Sequence, residues 1–197
     1  MLRLLTLSIL LVLAKPLTAA PPMIAEEWWR AAEVRDLSGN PITQPGAAAV
    51  VVFIEPECPV SNGYIPTLNA LAAEFAARGF VFLGAYADPN ADLGALQRHA
   101  EDYRLKFIAI DDRFHRLARH CGATYTPEVA VISRDGRVLY RGRIDDRVGE
   151  RGAARPSAVR HDLRLVLQKL ASGEPGPFPG KPGFGCLLPE RVRRAAP

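Results

Sequence analysis

Seven consecutive residues without a polar side chain, Ala48 to Ile54 ("AAVVVFI"), constrain this chain more than any other stretch. A strand that is apolar on both of its alternating faces has to be covered on both, which places it inside a sheet flanked by helices. It runs directly into "EPECPVSNGY" and then "IPTLNALAAEF". There Tyr64, Leu68, Leu71 and Phe75 recur at helical spacing, and Gly79 ends the run. Cys58 therefore stands at a strand-to-helix junction, with Pro59 at the first helical position, where its missing N–H is no loss.

The rest of the chain repeats the alternation. "FVFLGAY" (80–86) predicts a second buried strand, after which a helix is expected from Asp88–Asn90 to Tyr103, with Leu93, Leu96 and Tyr103 on one side. "KFIAID" predicts a short third strand and "DRFHRLARHCG" a short helix ending at Gly122. "EVAVIS" and "VLYRGR" read as an antiparallel hairpin turned at Asp135-Gly136. A last helix is expected over 157–171, with Ser157 as N-cap and Leu163, Val166, Leu167 and Leu170 facing inward. Strands alternating with helices, closed by a hairpin and a helix, predict an α/β class with a mixed central sheet and helices on both faces. At 48% hydrophobic residues, one domain over 21–171 has enough apolar material for a full core, and a hairpin is expected around "LSGN" in the lead-in before its first strand. Residues 172–197 read as a separate tail whose stretch 172–187, "SGEPGPFPGKPGFGCL", is a Pro/Gly linker without a regular element, carrying Cys186 near its end.

Residues 1–20 have the outline of a secretory signal peptide: Arg3, an apolar run from Leu4 to Ala14, then small residues ending at Ala20. Lys15 directly after the apolar run and Pro21 after the cleavage point keep an uncleaved N-terminal membrane anchor as the alternative. No cysteine lies near the cleavage point, which excludes a lipid-modified cysteine there. Export to the periplasm or beyond is the expectation. Removing these residues takes away Arg3 and Lys15 and no acid, lowering the formal net charge from +4 to +2. That small excess, with no basic stripe interleaved with aromatics, argues against nucleic acid as a partner, and the arginines of "RVRRAAP" read as a solvated tail.

Three cysteines, Cys58, Cys121 and Cys186, allow one intramolecular disulfide at a time in any of three pairings, and always leave one thiol over. Cys58 is the candidate nucleophile because unpaired N–H groups at a helix N-terminus stabilise a thiolate. Ser61 is expected to donate a hydrogen bond to its sulfur, while Glu55 and Glu57 oppose ionisation. Thr126-Pro127 precedes a strand, where a cis peptide bond is an option.

These features together resemble the thioredoxin-like superfamily, in its redoxin branch related to alkyl hydroperoxide reductase and thiol-specific antioxidant proteins. The likeness is carried by Cys58-Pro59 after a central strand, Pro66 eight residues on, and Thr126-Pro127 ahead of the hairpin "EVAVISRDGRVLYRGR". "CPVSNGYIPTL", "TPEVAVI", "YRGRIDD" and "GFGCLL" resemble an exported bacterial subgroup, and the likeness spans about residues 40–188. It implies the thioredoxin-like fold and a substrate groove formed by Pro59, Ser61, Thr126 and Pro127 around the thiol. The departures narrow the chemistry. Ser61 stands where a dithiol enzyme has its second cysteine, Glu55 where a peroxidase has the threonine that positions peroxide, and Ile54 where a Sco-type copper chaperone has its first cysteine.

The expectation is therefore an exported thiol-disulfide oxidoreductase with a single active-site cysteine in a CPVS motif, needing no cofactor and acting on protein or small-molecule thiols and disulfides. Cys186 is the candidate resolving thiol and Cys121 a weaker one, better read as a small core side chain. The alternatives are a peroxiredoxin-like thiol peroxidase taking peroxide, or a redox-inactive or copper-binding module. The four histidines lack ligand spacing and read as surface or capping residues, and no metal is expected. The acid pairs Asp111-Asp112 and Asp145-Asp146 read as solvated turns held by arginines, and Arg143, at the sheet edge, is an unfavoured candidate for a place near the thiol. Trp28 and Trp29 read as packing residues.

Overall fold

The structure is a computed structural model that describes residues 29, 31–42, 46–149 and 152–189. The apolar residues 1–20, Trp28 and "RVRRAAP" lie outside the described residues. Strand β1 (Ala48–Ile54) is buried along its whole length and sits in the middle of a five-stranded sheet. It pairs in parallel with β2 (Phe80–Tyr86), which pairs in parallel with β3 (Ile108–Asp111). On its other side it pairs antiparallel with β5 (Glu128–Ser133), the first strand of a hairpin with β6 (Val138–Gly142), giving the order β3-β2-β1-β5-β6. The hairpin register shifts between Val131 and Ile132, a bulge that the alternation pattern does not announce. Gly136 has φ +85°, which is why a glycine occupies that turn.

Alternation along β1 assigns each residue to one of two cores. Val50, Val52 and Ile54 pack with Tyr64, Leu68, Leu71 and Phe75 of α1 (Pro59–Ala76), with Leu96 of α2 (Leu93–Asp102), and with Leu163, Val166 and Leu167 of α4 (Asp162–Ala171). Ala49, Val51 and Phe53 pack on the opposite face with Trp29, Val34 and the short helix α3 (Arg116–Cys121). This is the mixed sheet with helices on both faces that the pattern predicts. Two short strands, β4 (Tyr125–Thr126) and β7 (Cys186–Leu187), form a separate antiparallel pair at the end of the sheet where α1 begins.

Four expectations are corrected. Helix α2 starts at Leu93, because Asp88 closes its own turn by accepting from the Asn90 N–H, leaving Asp92 to cap the helix through the Ala95 N–H at 3.0 Å. Helix α4 starts at Asp162 and not at Ser157. The preceding backbone is held in a non-helical loop by Asp146, whose carboxylate accepts the N–H groups of Val159 and Arg160. The acid pairs are not solvated turns: Asp112, Asp145 and Asp146 are buried, and Asp145 accepts the Tyr64 hydroxyl at 2.6 Å. Nor is 172–187 a free linker. Phe178 N–H donates to the Leu139 carbonyl, Arg143 N–H to the Lys181 carbonyl, and Gly183 N–H to the Tyr125 hydroxyl, so the tail lies along β6 and β4. Gly180 is required on that path, since a Cβ there would collide with the Arg141 carbonyl.

Asp112 carries the start of α3, which follows a left-handed His115 and has no capping side chain of its own. Its two carboxylate oxygens accept the Leu117 and Ala118 N–H groups, each at 2.9 Å. Asp112→Ala should leave both donors buried and unpaired and cost about 1–3 kcal/mol, read as a lower denaturation midpoint with unchanged slope.

Candidate functional site

Where β1 ends, Glu55-Pro56-Glu57 turns the chain, and Cys58 N–H donates to the Glu55 carbonyl at 3.1 Å. Cys58 is the N-cap of α1, with φ −91° and ψ 107°, and Pro59 occupies the first turn. Its Sγ accepts the Ser61 N–H at 3.5 Å, so the helix end does point a main-chain donor at the sulfur. The Ser61 hydroxyl does not, which corrects the sequence expectation: it faces back and accepts the Glu55 N–H at 3.5 Å. Pro66 lies inside α1 without ending it.

Across the gap, the Thr126-Pro127 peptide bond is cis, and the Thr126 carbonyl oxygen lies 3.5 Å from Cys58 Sγ. The Thr126 carbonyl thus faces the cysteine. Glu128, just beyond Pro127 and buried, anchors this loop by accepting the Thr124 N–H at 2.9 Å and pairing with Arg141. Cys58 is bonded to Cys186, with the two Cα atoms 6.0 Å apart, within the usual span of a disulfide. Cys186 reaches it on β7, paired opposite Thr126, while Leu187 pairs with Tyr125 and the Leu188 N–H donates to the Thr124 carbonyl. Gly185 is required here, because a Cβ would overlap the Thr126 carbonyl. Cys58 is 0% exposed beneath the tail, whereas Cys186 is half-buried.

Cys121 is elsewhere. It is the last residue of α3, buried in the core with Leu117 and Ala118, and is the free cysteine. Burial first, then the Asp112 and Glu128 carboxylates, push its thiol up to about 12, so it carries almost no thiolate at neutral pH.

Electrostatically the Cys58 site is divided. The helix N-terminus favours a thiolate, and the Thr126 carbonyl favours a protonated sulfur. Glu55 is buried with Oε2 unpartnered among the described residues. Burial, reinforced by the nearby Asp88 and Glu57 carboxylates, raises its pKa, so it tends to hold its proton. Thr126 Oγ1 is likewise buried without a hydrogen-bond partner among the described residues.

Beside this pocket lies a polar chain that the sequence reading missed. Asn62 Nδ2 donates to the Pro56 carbonyl at 2.7 Å and to the Tyr103 hydroxyl at 3.1 Å. That orientation leaves Oδ1 to accept from His99 Nε2 at 3.0 Å, which makes Nδ1 the acceptor for the Tyr86 hydroxyl at 2.7 Å. Burial lowers the His99 pKa and keeps the ring neutral in this role. His99 is therefore no surface histidine. The available signal was Asn62 four residues after Cys58, one helical turn on and facing the same side. Arg143 is not aimed at the thiol; it forms an ion pair with Asp162 at 2.7 Å.

A family model described as Redoxin matches residues 40–156. Among curated proteins, the soluble secreted antigen MPT53 of Mycobacterium tuberculosis is 30% identical over 107 residues, which are 53% of this chain. The match spans only 60% of that relative's length. Among solved structures, an uncharacterized conserved protein from Geobacillus kaustophilus superposes with a TM-score of 0.68 at 23% identity, over 81% of this chain and 88% of that one. A secreted Mycobacterium tuberculosis disulfide oxidoreductase homologous to E. coli DsbE gives 0.50 at 22%, over 73% and 98%. At these identities the structures establish a shared thioredoxin-like fold.

The buried Glu55 has a measurable consequence. Its carboxyl holds a proton in the folded protein above the ordinary value of 4.5, so the unfolded chain releases that proton first and the native state binds more protons between the two pKa values. Stability is thereby lost as pH rises through that window. Glu55→Gln should gain stability on the wild type between about pH 4 and about pH 7.5, measured by denaturant unfolding at both values. A constant difference between the two proteins would contradict an abnormally protonated Glu55.

Proposed function

The chain belongs to the redoxin family, and from that premise we propose that it is an exported thiol-disulfide oxidoreductase whose working couple is Cys58–Cys186. The observation that carries the reading is the pairing itself: the cysteine at the helix N-cap is joined to a tail cysteine facing the Thr126-Pro127 loop. In the reducing direction, the Cys58 thiolate attacks a disulfide of the partner and forms a mixed disulfide. Cys186 then displaces the partner and closes the Cys58–Cys186 bond. In the opposite direction the oxidised protein accepts two electrons from a partner dithiol. Ser61 in place of a second local cysteine is consistent with this division, since the resolving thiol comes from 128 residues away.

Export is supported by the outline of residues 1–20 and by the name of the secreted mycobacterial relative. Among the described residues no helix is long and apolar enough to cross a membrane. Peroxide is a weaker oxidant candidate, because a buried carboxyl stands at Glu55 where a peroxide-positioning hydroxyl is needed.

The test is a non-reducing peptide map of the reduced protein after a stoichiometric pulse of oxidised glutathione, with a peroxide pulse alongside. The expected product is the Cys58–Cys186 peptide pair with Cys121 free, formed faster with the disulfide than with peroxide. Cys58→Ser should abolish exchange, and Cys186→Ser should stop after one mixed disulfide. Pairing of Cys121 with Cys186 while Cys58 stays free would remove the basis of the proposal. Faster closure with peroxide would make the protein a peroxidase instead.

A further inference from the structure

The tail does more than deliver Cys186: residues 183–188 run through the groove in front of Cys58 as an extended segment, each held by a separate feature of the groove. Gly183 N–H donates to the Tyr125 hydroxyl at 2.8 Å. The Phe184 ring lies against Gly152, in space that a Cβ on Gly152 would occupy. Gly185 passes so close under the Thr126 carbonyl that no side chain fits. Cys186 and Leu187 pair with Thr126 and Tyr125, and Leu188 donates to the Thr124 carbonyl and packs against the core around Trp29 and Val34. While this segment is in place, Cys58 is 0% exposed, so no partner sulfur can meet it.

We propose that the tail is an internal template of the substrate, and that the groove it vacates on reduction takes an extended segment of a partner protein whose disulfide-bonded cysteine is directly preceded by glycine. This rests on the exchange function proposed above and names its substrate class. The partner cysteine occupies the place of Cys186, its preceding glycine that of Gly185, and an apolar residue two positions after the cysteine that of Leu188. Main-chain pairing with β4 demands an ordinary peptide backbone on both sides of the cysteine, which selects a protein segment over a small thiol.

The cycle balances. The Cys58 thiolate attacks the partner sulfur lying in the groove; that sulfur's bond to its old partner breaks, and the departing thiolate takes up a proton. The Cys186 thiolate, its strand β7 still unseated, then attacks Cys58 Sγ from the side opposite the groove cysteine and expels it; that cysteine is protonated in turn, and the tail settles into the emptied groove. The partner disulfide has gained two electrons and two protons, and the Cys58–Cys186 dithiol has lost them. Tail and partner compete for one groove, so closure of the internal disulfide also releases the product.

The experiment uses the full chain with Cys186→Ser, reduced, and two peptides, Phe-Gly-Cys-Leu-Leu and Phe-Val-Cys-Leu-Leu, each carrying thionitrobenzoate on its cysteine. The free bis-thionitrobenzoate disulfide serves as a reagent that needs no groove. The rate of thionitrobenzoate release should be at least about tenfold higher for the glycine peptide, as expected when an added side chain meets a fixed carbonyl. Equal peptide rates with a reactive Cys58 would overturn the template and leave the exchange function standing. No release by any of the three reagents, judged against Cys58→Ser in the same Cys186→Ser background, would overturn both. A second variant, Gly185→Val in the otherwise native chain, makes the test independent of Cys186→Ser. Its equilibrium constant for closing Cys58–Cys186 should fall about tenfold, and an unchanged constant would contradict the close fit at Gly185.

Discussion

The bond between Cys58 and Cys186 joins the first turn of α1 to a chain segment 128 residues away, and much of the site's order follows from it. Chain-entropy reasoning gives a closure over that distance a stabilising effect of about 5 kcal/mol, through the unfolded states it removes. Two-residue strands are too short to hold a tail on their own. The pairing of β4 with β7 persists because the disulfide, the Gly183 hydrogen bond and the Leu188 hydrogen bond act on the same few residues. Opening the disulfide therefore weakens a set of contacts that depend on one another, and the covalent chemistry becomes coupled to access.

The groups around Cys58 pull in two directions. Cys58 accepts one main-chain N–H from the helix end, yet it faces the Thr126 carbonyl and lies three residues from a buried, proton-holding Glu55. The third cysteine shows the contrast: Cys121, deep in the second core, is pushed up to about 12 by burial, which the Arg141 charge offsets only in part. Burial alone makes a structural cysteine. At Cys58 a helix end, a carbonyl and a bonded tail meet instead.

How much of this could be read from the residues depended on whether local chemistry or distant contacts decided it. Strands β1 and β2 fall where their unbroken apolar runs place them, because an interior strand leaves no choice of face. The starts of α2 and α4 shifted because Asp88 and Asp146 bind main-chain groups outside the helices they were expected to begin, and no periodicity reveals that. The tail was misread for a related reason. Pro and Gly exclude a helix or long strand, but they do not exclude order built from single hydrogen bonds and close approaches, such as Gly180 against Arg141 and Gly185 against Thr126. At the site, Cys58 and Thr126-Pro127 were visible as a register of motifs, whereas the Asn62–His99–Tyr86 chain joins three elements and emerges only once they pack.

Whether the Cys58–Cys186 bond is what holds the tail over Cys58 can be read from amide hydrogen exchange at Leu188, compared between the oxidised and the reduced full-length protein. Its N–H is bonded to the Thr124 carbonyl at 3.0 Å beside the β4–β7 pair, so it reports on the tail alone. Strong protection is expected when oxidised and exchange at least about a hundredfold faster when reduced, with the core amides of β1 remaining the slowest to exchange in both states. Equal protection in both states would mean that the tail stays seated without the bond, and that reduction does not open the groove.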